Sequence, residues 1–91
     1  MHRYFFHTAD GEVFRDRVGT ELANEDAARI EAARLLGQLV NERPADIWKD
    51  DDFRITVTDE AHLVLFTIDV AAVVAPAARA PGPKPIGRDE S

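Results

Sequence analysis

Residues Asn24 to Arg43 constrain the fold of this chain more than any other stretch. Ala28, Ala32, Leu35, Leu36, Leu39 and Val40 recur there at i, i+3, i+4 and i+7, the spacing of a helix with one buried stripe. Glu31, Arg34, Gln38, Asn41 and Glu42 fall on the opposite side. Asn24 can cap the free amides of the first turn, and Glu25 and Asp26 suit the positive end of the helix dipole. Arg43 places a cation at the other end, and Pro44 pushes the residue before it out of helical geometry. The helix is therefore expected to run between these two residues and to bury one face.

A single helix needs a sheet to cover. Arg3 to Thr8 is rich in aromatic and β-favouring residues, Asp10-Gly11 follows, and Glu12 to Asp16 carries Val13 and Phe14. Asp-Gly suits a two-residue type I′ turn, and that register puts Phe5, His7, Phe14 and Asp16 on one face, with Tyr4, Phe6, Val13 and Arg15 on the other. Gly19 is expected in a turn closed to residues with a Cβ. After the helix, Trp48 is expected to cover an end of the core. Phe53, Ile55 and Val57 alternate with Arg54, Thr56 and Thr58, and Leu63 to Val70 returns after Asp59-Glu60-Ala61-His62. A four-residue loop pairs Val57 with Val64 and Ile55 with Phe66, so Phe53, Ile55, Val57, Val64, Phe66 and Ile68 face the helix while Leu63 and Leu65 lie on the far side. The fold class is α+β, ordered ββαββ: two antiparallel hairpins form a four-stranded sheet with one amphipathic helix packed on one face.

Length permits one such domain, expected over 1–75 of the 91 residues. Pro76, Pro81, Pro83 and Pro85 interrupt regular structure beyond it, so 76–91 is expected to be a flexible Ala/Pro-rich tail. Asp and Glu number 17 against 11 Lys and Arg, a formal charge of -6, which opposes direct nucleic-acid binding and gives no support to an anionic membrane surface. With no cysteine, disulfides, thiolate metal sites and cysteine nucleophiles are absent. The apolar stretch at the N-terminus is too short for a signal-peptide core or a membrane span, so the expected location is cytoplasmic.

Taken together, Arg3-Tyr4-Phe5-Phe6-His7, Asp10-Gly11, Asp16-x-x-Gly19-x-Glu21-Leu22, Ala27-Ala28-Arg29-x-Glu31-Ala32 and Val57-Thr58-Asp59-Glu60 resemble a family of small bacterial proteins catalogued as a domain of unknown function, number six-eight-nine-four. The resemblance covers about Met1 to Ile68. Its members commonly carry a glycine in the turn where this chain has Ala61-His62. The resemblance implies no activity, cofactor or catalytic residue.

The side chains suited to chemistry are sparse. His2 and His7 point to opposite faces of one strand and His62 sits in another turn, so no metal ligand set is expected. Asp50-Asp51-Asp52 lacks the alternating ligands, central glycine and terminal glutamate of a calcium loop. His7 beside Asp16 resembles a base with its orienting carboxylate, but no nucleophile or oxyanion loop accompanies them. Arg29, expected to pair with Glu25, completes the weak polar-site set of His7, Asp16 and Arg29. The expected function is that of a noncatalytic protein-interaction module, without cofactor. Leu63, Leu65, Tyr4 and Phe5 form its candidate interface, and a symmetric homodimer is one way to bury that patch. Two alternatives stand beside it. One is an acidic inhibitor or antitoxin-like protein that blocks a basic nucleic-acid-binding surface; the other is a small-molecule-binding protein or small enzyme.

Overall fold

The computed structural model describes residues 1–49 and 53–76. Strand β1 is His2–Ala9, β2 Val13–Phe14 and β3 Thr20–Leu22; helix α1 is Glu25–Glu42; β4 is Phe53–Thr58 and β5 Val64–Val70. Among the described residues, helix α1 and a five-stranded antiparallel sheet make the fold α+β. The expected ββαββ order with four strands is corrected by β3, a short strand that pairs with β1 before the helix begins. The sheet runs β2-β1-β4-β5, with β3 also on β1.

Helix α1 follows its sequence signals. The Asn24 side-chain oxygen accepts from the Ala27 amide at 2.9 Å, and Arg43 is the C-cap. Ala28, Ala32 and Leu36 are buried, with Leu35, Leu39 and Val40 packed at the margin. The two alanines let the helix backbone lie close to the sheet, against Tyr4 and Phe6 of β1 and Phe53, Ile55 and Val57 of β4. Arg43 also reaches across to Asp10, at 2.7 Å from Oδ2 and 3.2 Å from its carbonyl oxygen, which ties the first hairpin turn to the end of the helix. Trp48, expected over the core, is instead 64% exposed in a 3-10 turn.

Both hairpin registers differ from expectation because each loop holds one residue more than expected. Thr8 pairs with Phe14 and Ala9 with Val13, so the first loop holds three residues, Asp10 to Glu12, with Gly11 at φ 97°. The added loop residue flips β2: Val13 shares the face of Phe5 and His7, and Phe14 the face of Tyr4 and Phe6. In the second hairpin Thr58 pairs with Val64 and Val57 with Phe66, leaving Leu65 as a bulge. Ile55 consequently pairs with Ile68, and Val70 with Phe53. Val64 is turned to the uncovered face, and Leu65 packs against the core.

Among the described residues, no helix is long and apolar enough to cross a membrane. Asp50-Asp51-Asp52 and all of the expected tail except Pro76 lie outside the described residues. The helix stripe gives a direct test of the packing. Leu36→Ala should cost about 2–5 kcal/mol in equilibrium unfolding. Leu35→Ala should cost less than Leu36→Ala, and Gln38→Ala almost nothing, because only Leu36 of the three is fully in the core.

Candidate functional site

The face of the sheet opposite α1 carries the odd-numbered side chains of β1. Its organising feature is a mismatch along the β1 edge. Tyr4 pairs with Thr20 and Thr8 with Phe14, so the five residues Arg15 to Gly19 stand opposite only three, Phe5 to His7. The excess chain is gathered by Asp16. Its Oδ2 accepts from the Phe6 amide at 3.1 Å, and Oδ1 accepts from the Val18 and Gly19 amides at 3.0 Å each. The carboxylate thus replaces the strand partner that Phe6 lacks on this side. Gly19 has φ +79°, and a Cβ there would stand 2.7 Å from Arg3 Cγ and 2.9 Å from Phe5 Cε2. The expectation of a glycine-only turn holds at this position.

Burial opposes ionisation of Asp16. The amides of Gly19, Phe6 and Val18, together with the nearby His7, more than offset it and hold the carboxyl below its ordinary value. His7 meets Asp16 through the main chain rather than the carboxylate: the Asp16 amide donates to His7 Nδ1 at 3.0 Å. Nδ1 is therefore an acceptor in the neutral ring, and Nε2 carries the hydrogen that it donates to Thr58 Oγ1 at 3.2 Å. A general base held by a carboxylate has the opposite tautomer, with a free Nε2 lone pair. In the neutral ring both His7 nitrogens are thus engaged by the protein, Nδ1 by the Asp16 amide and Nε2 by Thr58.

Around these residues lies a half-open groove of about 640 Å³. Phe5 and Val64 line it with Thr56 and Thr58; the Arg15–Arg17 bulge and His62 also border it. Thr58 is 7% exposed. His62 adopts φ 65°, the left-handed region, and is the single non-glycine residue to do so among the described ones. Asp59 holds that turn, its Oδ1 accepting from the Ala61 and Leu63 amides.

The expected site residues distribute unevenly. His7 and Asp16 come together at the groove, and Phe5 joins them. Arg29 does not, because it lies on the solvent side of α1, beyond the sheet, paired with Glu25 at 2.9 Å and Asp26 at 2.6 Å. Tyr4 is in the core, and with Leu65 it borders a shallower recess on the helix side. Leu63 is 63% exposed. His62, read from sequence as remote from His7, lies on the same groove. Among the described residues, no group of three or more His, Cys, Asp or Glu side chains is placed to hold a metal.

Sequence reasoning missed Arg15 and Arg17. Arg3, Arg29, Arg34, Arg43, Lys49 and Arg54 each have a carboxylate oxygen within 3.2 Å. Among the described residues, Arg15 and Arg17 have no such partner. The Arg15-Asp16-Arg17 triplet is visible in the sequence, but only the fold shows that its one acidic residue is consumed by backbone amides.

The family model described as Domain of unknown function (DUF6894) matches residues 3–71, from the second residue of β1 to just past β5. The chain belongs to the DUF6894 family. The match thus spans every strand, the helix and the whole groove. No curated protein and no solved structure matches the chain.

Three outcomes test this geometry within the DUF6894 chain. Asp16→Ala should cost about 1–3 kcal/mol, since a charged acceptor of three amides is lost. The depressed Asp16 pKa also fixes a sign. Its contribution is complete above the ordinary carboxylate value of 3.8 and disappears as pH falls through the lower folded value. Urea unfolding followed down to about pH 2 should therefore show a flatter acid limb in Asp16→Asn than in the parent. At the second turn, His62→Gly should unfold at higher temperature than His62→Ala, with a difference of about 1 kcal/mol from relief of the left-handed backbone.

Proposed function

We propose that this protein is a noncatalytic interaction module that receives a protein partner on the sheet face not covered by α1. The observation that carries the reading is the apolar surface on and beside that face: Val13 is 79% exposed, Leu63 63% and Val64 62%, with Phe5 alongside in the groove. Contiguous apolar surface on a small protein commonly marks an interface. The polar groups beneath it are spent on structure, because both ring nitrogens of His7 and both oxygens of Asp16 are engaged. That favours binding over acid–base chemistry at this site.

A photo-cross-linking residue placed at Val64 tests the reading in extract of the native cell. A discrete adduct with another protein is expected from Val64 and not from a control at Ile30, which is 71% exposed on the helix. Equal labelling from both positions, or none from Val64, would remove the uncovered face as the interface. An adduct made only with a second copy would assign the face to the homodimer.

A further inference from the structure

We infer that the groove recognises an acidic, extended segment of the partner: its carboxylates meet Arg15 and Arg17, and an apolar side chain between them packs on Phe5 and Val64. This deepens the interaction reading and rests on it. Charge complementarity carries the argument. In a chain of net charge -6, the other described basic side chains already lie against carboxylates, and both unpaired arginines border one groove. The single carboxylate among them, Asp16, has its oxygens occupied by three amides and is poorly placed to neutralise either guanidinium.

The remaining walls suit the same occupant. Thr58 uses its oxygen to accept from His7, and among the described residues no protein acceptor takes its hydroxyl hydrogen. That buried donor is left for an oxygen in the groove. His62 keeps an imidazole on the opposite wall in a backbone region where glycine would be less strained.

Other occupants fit less well. A small organic anion would fill the groove but leave Leu63, beside it, in water. A two-fold-related copy would bring the Arg15–Arg17 bulges of both protomers to one shared interface, where like charges repel.

The test uses the full chain and a displayed library of random peptides about twelve residues long, enough to cross the sheet when extended. Enriched sequences are expected to alternate Asp or Glu with apolar residues. Synthetic copies should bind about five-fold more weakly to the double variant Arg15→Ala/Arg17→Ala, the loss expected for two partly exposed ion pairs, and more weakly as salt is raised. The thermal midpoint of that variant should match the parent, because neither arginine makes an internal ion pair.

Failure to enrich any peptide, or enrichment of sequences whose binding ignores the double variant, would overturn the inference. So would tighter binding of phenyl phosphate than of any selected peptide, which would make the groove a small-anion site. If Val64 cross-links its partner as efficiently when both arginines are replaced as in the parent, the interaction reading stands and the acidic-segment inference falls.

Discussion

One carboxylate organises the uncovered face of this sheet. Asp16 accepts from the Phe6, Val18 and Gly19 amides, and these amides fix the surplus chain between β2 and β3 against β1. The bulge matters because it is the route by which two arginines reach the edge of an otherwise hydroxyl- and apolar-lined surface. Without an acceptor for the Phe6 amide, the edge of β1 would carry an unpaired donor between two short strands. The same loop sets the tautomer of His7 by offering it an amide hydrogen rather than a carboxylate. Backbone architecture, side-chain charge and imidazole chemistry thus depend on a single residue.

The helix was legible from sequence because its information is local. The spacing of Ala28, Ala32 and Leu36, the Asn24 cap and the Pro44 stop all act within a few turns, and each operates as expected. The sheet was legible as alternating strands but not in register, since register depends on loop length. Asp10-Gly11 suggested a two-residue turn; the actual loop includes Glu12, and that parity change moved Phe14 away from Phe5. The Leu65 bulge has the same character. It exchanges the exposures of Leu65 and Val64 without any change in composition that could announce it. The strand Thr20–Leu22 is too short to show periodicity at all.

The site was half legible. His7 and Asp16 are indeed neighbours, although the expected carboxylate–imidazole contact is replaced by a main-chain one, which a strand-alternation argument cannot see. Arg29 has its visible partners one helical turn away, and those local pairs hold it on the far side of the sheet. Arg15 and Arg17 were overlooked because unpaired charge is a property of the whole fold. Only after the other basic residues found acids in space did these two stand out.

The bulge at Leu65 also guards the outer edge of the sheet. Among the described residues β5 pairs only with β4, so its outer side is a sheet edge with open backbone groups. Such an edge invites another chain to add as a further strand, and repeated addition leads to aggregation. The irregularity at Leu65 breaks the flat ladder near one end, and Asp69 places a charge near the other. A molecule guarded in this way discourages strand addition from the side. Under the proposed reading, recognition would fall to the broad surface instead, where it is set by side chains and can saturate after one encounter.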